Sequence, residues 1–224
     1  MTPVSRTYYA LGDSMSIDAY AGGPGEGAAS LLADDFGYDL RLLATDGATS
    51  DTVLRTQLNE IDTQPDLVTL TMGGNDLVHA LFEDPRGVAR AIERVRYNTD
   101  LVLSTLRSRA GLAAPIIVST VYDPTDGTGD LQRLGLPAAS ADPRNLDALN
   151  ATLIAAARRH GALVADLYTK FLGHGTTVGD INQPDPRPAE RELWFCGSIE
   201  PNAWGAMAIR DAWRAALFSL ARKP

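Results

Sequence analysis

"TYYALGDS", residues 7–14, runs from a β-branched and aromatic pentapeptide straight into a glycine, an acid and a serine. Thr7–Leu11 is apolar on both faces, the pattern of a strand buried on both sides of a parallel sheet. Four further runs share that character: Leu40–Ala44, Leu67–Thr71, Ile116–Val121 and Ala162–Leu167. Between and after them, Gly27–Phe36, Thr52–Ile61, Gly87–Ala110, Arg144–His160 and Asn202–Ala221 carry helical spacing; Ile92, Val95, Thr99, Val102, Leu103 and Leu106 show it plainly. Five alternations of strand and helix imply right-handed crossovers and a three-layer α/β/α sandwich around a five-stranded, flavodoxin-like parallel sheet. With 224 residues the chain has the length of one substantial α/β domain, residues 1–224. Two long loops, Asp123–Asp142 and Thr169–Ile199 with its "QPDPRP" cluster, are expected to build a binding site or a lid.

In such a sheet ligands bind at the carboxyl ends of the strands. After the first run comes Gly12-Asp13-Ser14; after the second, Thr45-Asp46-Gly47-Ala48-Thr49-Ser50; after the third, Met72-Gly73-Gly74-Asn75-Asp76. Three loops on one edge thus bring together a serine hydroxyl, a glycine N–H and an asparagine amide. Acyl transfer needs that set: a nucleophilic oxygen, and neutral donors aimed at the oxyanion formed as it attacks.

These blocks resemble the SGNH, or GDSL-type, hydrolase superfamily over nearly the whole length. "ALGDSMS" matches the first block, with Ser14 as nucleophile and its own N–H as an oxyanion donor. "DGATS" matches the second, with Gly47 as donor, and "MGGND" the third, with Asn75. The last block aligns with "GSIEPNAWGAMAIRDAW", where Glu200 stands in the position of the family's histidine and Gly197 in that of its aspartate. Pro201 is expected in the first turn of the following helix. The resemblance implies an esterase-like hydrolase or acyltransferase acting on a small carboxylic ester, without metal or organic cofactor.

The departure leaves the base open. Glu200 serves if burial lifts its pKa toward neutrality; as a helix N-terminal carboxylate it would only stabilise the dipole. His174, in "KFLGHGTT", lies on the loop after the fifth run and would complete a Glu200–His174–Ser14 relay. His79 falls one turn into the helix after Asn75, and His160 sits at a helix C-terminus. Asp18, placed on a helix following the nucleophile, is a candidate for binding a substrate hydroxyl. Asp13 is expected to hold the nucleophile loop by accepting backbone N–H bonds. Trp194, Phe195 and Trp204 either wall a pocket or join the core. A silent binding protein that keeps the oxyanion donors, or an enzyme using Glu200 directly, are the alternatives to the relay.

Composition narrows the classes. The net charge of −8, with no basic block longer than Arg158-Arg159 or Arg222-Lys223, argues against nucleic acid as a partner. No apolar run approaches the roughly 18 residues of a membrane span. The N-terminus shows no secretory h-region, so a soluble, cytoplasmic protein is the expectation. The one cysteine, Cys196, excludes an intramolecular disulfide and is expected to be a small buried residue.

Overall fold

The computed structural model describes residues 6–83, 85–111, 113–136, 141–178 and 192–220. Five strands, β1 (Thr7–Leu11), β2 (Asp39–Leu42), β3 (Leu67–Leu70), β4 (Ile116–Ser119) and β5 (Leu163–Ala165), form one parallel sheet in the order β2-β1-β3-β4-β5. Tyr8 of β1 stands opposite Leu40 on β2 and Leu67 on β3, which fixes the central register. Every residue of β3 and β4 is buried, as strands covered on both faces require. The edge strand β2 carries Asp39 and Arg41, exposed charges that blunt edge pairing.

Helices cover both faces. α1 (Ala28–Phe36) packs on α7 (Ala203–Leu220), which also contacts β5 and α6 (Leu167–Phe171). A second set comprises α2 (Ser50–Arg55), α3 (Gly74–Glu83), α4 (Val88–Ala110) and α5 (Pro143–Arg159), with α4 touching the other three. The α/β/α layering and the flavodoxin-like strand order agree with the sequence. Buried polar groups in the core are paired: Tyr8 Oη lies 2.7 Å from Thr69 Oγ1, and Trp213 Nε1 donates to Ser119 Oγ at 2.8 Å. Among the described residues, no helix is long and apolar enough to cross a membrane.

The elements depart from the sequence reading at several points. Thr52–Ile61 is not one helix: α2 starts at Ser50, capped by Thr49 in a capping box with Thr52, and gives way to a 3₁₀ turn at Gln57–Glu60. No helix follows Ser14; residues 12–27 form turns and bends. Pro201 is not in the first helical turn. It ends β7 (Glu200–Pro201), which pairs antiparallel with β6 (Phe195–Cys196), and Asn202 caps α7 by accepting the Gly205 N–H at 3.1 Å. The Thr169–Ile199 stretch includes the end of α6 and the first strand and turn of this hairpin, while its "QPDPRP" cluster lies outside the described residues.

Candidate active site

Gly12 leaves β1 with φ +129°, and a Cβ there would collide with the Thr71 carbonyl, so only glycine makes this turn. The buried Gln57 clamps it: Gly12 N–H donates to Oε1 at 2.7 Å, and Nε2 donates to the Gly12 carbonyl at 2.8 Å. Thr71 Oγ1, at the end of β3, accepts the Asp13 N–H at 3.1 Å, and Asp13 Oδ1 accepts the Met15 N–H at 3.2 Å. Ser14 sits at the top of this turn, 7% exposed. The expected local role of Asp13 is what its backbone bond supplies.

The next two loops are tied to the first and to each other. Thr45 N–H donates to the Gly12 carbonyl at 3.1 Å. Asn75 Nδ2 donates to the Ala48 carbonyl at 3.0 Å, which fixes the plane of the amide; its NH₂ carries a second donor. Asp76 is buried and accepts both the N–H and the hydroxyl of Ser50 at 2.7 Å, locking the start of α3 to the start of α2. Gly47, at φ +69°, is exposed on the loop between those anchors.

The β6–β7 hairpin brings in Glu200. Gly197 turns it at φ +56°, Asn202 Nδ2 donates to the Leu193 carbonyl at 2.7 Å, and Tyr122 Oη donates to the Ile199 carbonyl at 2.8 Å. The Ser14 hydroxyl adjoins the Glu200 carboxylate, whose Oε2 is buried and has no hydrogen-bond partner among the described residues. Burial raises the Glu200 pKa above the ordinary carboxylate value, the neighbouring Ser14 hydroxyl opposes this, and the nearby Asp46 charge adds to the rise. Asp13 is pushed up to about 7 by burial, against its bonds to Thr71 and Met15 and with the charge of Glu200 adding. Glu200 thus precedes the helix on a hairpin, rather than serving as its N-terminal carboxylate.

An apolar cavity of about 120 Å³ opens beside Ser14 and Asn75. Leu77, Val78 and Leu81 of α3 form one wall, Leu131 and Leu134 of the 123–142 loop another, and Leu146 of α5 closes it. The expectation that this loop builds a binding site therefore matches the structure in its described part.

The other candidates lie elsewhere. His174 does not line this cavity: its ring stacks on Trp194 at 3.4 Å between centroids, and Nδ1 pairs with the Glu192 carbonyl at 2.8 Å. Its loop is held by Asp126, whose carboxylate accepts the Gly173 N–H at 2.8 Å and the Thr177 N–H at 3.0 Å. The Ser14 hydroxyl adjoins the Glu200 carboxylate, while His174 is engaged by Trp194 and the Glu192 carbonyl. Asp18, with no helix to carry it, accepts from Gly25 N–H, Gly27 N–H and the Ser30 hydroxyl, so its carboxylate organises the entry to α1. His79 is exposed beside α4, and His160 ends α5 against Asp100 at 3.1 Å. Phe195 joins the core, Trp194 is half-buried against His174, and Trp204 is 52% exposed. Cys196 is half-buried, opposite Glu200 in the hairpin, not fully buried as expected. Gln57 and Asp126 carried no motif, because their partners are 45 and 47 or more residues away. Among the described residues no group of three or more His, Cys, Asp or Glu side chains converges as metal ligands.

The 2-1-3-4-5 parallel sheet, with the loops of Ser14, Gly47 and Asn75 after its first three strands, places the chain among the SGNH hydrolase folds. It belongs to the GDSL-like Lipase/Acylhydrolase family, whose sequence profile matches residues 10–208. A lipase of Streptomyces rimosus is 28% identical over 199 residues, covering 77% of this chain and 74% of the relative. The crystal structure of the extracellular lipase from that organism superposes with a TM-score of 0.62 at 23% identity, covering 95% of this chain and 100% of that one. LAE5, an alpha/beta hydrolase enzyme from the metagenome of Lake Arreo, gives 0.66 at 23% identity, with 96% of each chain covered. The acetyl xylan esterase AlAXEase also gives 0.66, at 17% identity, over 94% of this chain and 99% of that one.

Proposed function

We propose that this hydrolase cleaves small carboxylic esters through Ser14, with Glu200 itself as the general base. The observation that carries the proposal is the Ser14 hydroxyl beside a half-buried carboxylate whose Oε2 is buried without a partner among the described residues and whose pKa is raised. A carboxylate of ordinary pKa is a poor base at neutral pH, and desolvation is what improves it. Glu200 takes the Oγ proton as Oγ attacks the ester carbonyl. The oxyanion is met by the Ser14 and Gly47 N–H groups and the Asn75 amide. The protonated Glu200 then gives its proton to the departing alkoxide, leaving an acyl-Ser14 that water removes by the same steps in reverse order. No cofactor enters this scheme, and the partner is a small-molecule ester rather than a nucleic acid.

The test is a fluorophosphonate that phosphonylates activated serines. Wild type should gain one adduct, mapped to Ser14, at a rate that follows a single ionisation above the ordinary carboxylate range, and Ser14→Ala should gain none. An unlabelled wild type that also leaves p-nitrophenyl esters intact would overturn the proposal and leave a ligand-binding protein on a hydrolase scaffold.

A further inference from the structure

We infer that the acyl part of the substrate is an apolar chain of about four to six carbons, seated in the cavity between α3 and the 123–142 loop. The inference deepens the ester-hydrolase reading and rests on it. Ser14 and Asn75 both line this cavity, so an ester carbonyl held between nucleophile and oxyanion donor has the cavity as the space adjoining it. Its apolar walls include leucines from three separate elements, α3, α5 and the loop, with Met15, Val78, Val121 and Ile199 beside them.

The polar side chains around it are largely engaged within the protein. Asp123 accepts from the Thr125 N–H, the Thr125 hydroxyl and the Gly127 N–H at 2.7 to 2.9 Å. Asp142 is taken by the Arg144 N–H and guanidinium at 2.9 to 3.0 Å, and the Tyr122 hydroxyl by the Ile199 carbonyl. Beside Asp13, Ser14 and the oxyanion amide of Asn75, that leaves the neutral amide of Asn145 on the first turn of α5. A hydroxylated or charged acyl chain would therefore give up its water without equivalent bonds in return. Size sets the upper limit. An apolar cavity of about 150 Å³ accommodates the six carbons of benzene, and the 120 Å³ found here scales to a slightly smaller group.

The experiment is kcat/KM across straight-chain p-nitrophenyl esters from acetate to dodecanoate. The value should rise about fourfold for each added methylene while the chain is being buried, then stop rising at pentanoate or hexanoate. Leu81→Ala, at a half-buried wall position, should move that break outward by about two carbons, and Leu81→Trp should draw it in. A rise that continues unbroken to dodecanoate, or a break that neither variant moves, would overturn the inference.

Calorimetric titration of Ser14→Ala with the matching methyl esters reads the cavity without turnover. Affinity should tighten with length and level off at the same chain. Length-dependent binding without hydrolysis in wild type would defeat the hydrolase reading alone. Hydrolysis with length-independent binding would defeat the cavity assignment alone.

Discussion

At the scale of single residues, the site is a problem in where charge is allowed to sit. Asp13 and Glu200 are neighbours in a poorly solvated place: the charge of Glu200 raises the cost of ionising Asp13, and Glu200 in turn feels the charge of Asp46. For Asp13, with a folded pKa of about 7 against an ordinary 3.8, the sign follows directly. The folded protein keeps a proton that the unfolded chain releases. The associated stability is fully present below about pH 4 and is lost as pH rises through about 7. Urea denaturation at intervals across that range should show wild type losing stability that Asp13→Asn retains; parallel curves would contradict the assignment. In the proposed mechanism Asn75 acts on the transition state instead. Removing one oxyanion donor costs roughly 2.7 to 4 kcal/mol, so Asn75→Ala should lower kcat by about 100- to 1,000-fold with the thermal midpoint little changed. Wild-type turnover of an ester by that variant would remove Asn75 from the oxyanion hole. That Ser14, Asn75 and Glu200 stand on loops at one end of the molecule was legible in the sequence, because each lies in a short, spaced block. The surroundings of His174 were not, because the placement of its ring depends on Trp194, Glu192 and Asp126, none of which its own neighbourhood announces.

At the scale of elements, the loops are precise because distant side chains hold them. Gln57 stands in a 3₁₀ turn where helical spacing alone would continue α2, and from there both ends of its amide grip the Gly12 backbone. Helix propensity reads the local sequence, whereas this break is coupled to a tertiary bond across 45 residues. Gln57→Ala leaves the buried Gly12 N–H without its partner, a cost of about 1 to 3 kcal/mol, while the Gly12 carbonyl keeps the Thr45 N–H. The substitution should lower the urea midpoint, and it should lower kcat more than it changes KM, since the nucleophile turn is loosened while the acyl cavity is not touched. Equal kcat in variant and wild type would make Gln57 a purely structural clamp. The inner strands β1, β3 and β4, by contrast, were legible from their starts onward, since burial on both faces leaves a continuous apolar run, while the exposed edge strand β2 and the part-buried β5 are shifted from or shorter than their apolar runs. The hairpin that carries Glu200 was not, because Phe195–Cys196 and Glu200–Pro201 are each two residues long, too short for any period to register.

At the scale of the whole molecule, a parallel sheet ordered β2-β1-β3-β4-β5 delivers the loops after β1, β2 and β3 to one edge, and the β6–β7 hairpin closes over them. The sheet with its helices keeps the fold of the family, and the departure read in the sequence lies in the last block, where the carboxylate of Glu200 stands at the position that the resemblance gives to a histidine. The central claim is that this carboxylate acts on Ser14 directly, without His174. Its most direct measurement is the pH dependence of kcat/KM on one short-chain ester for wild type, Glu200→Gln and His174→Ala. The account predicts that wild type rises through one ionisation above the ordinary carboxylate range and that His174→Ala keeps that profile within about tenfold. Glu200→Gln should fall by about 1,000- to 10,000-fold, the scale on which serine hydrolases suffer when the base is disabled. A His174→Ala enzyme as depleted as Glu200→Gln, with a double variant no worse than either, would contradict it and restore the relay.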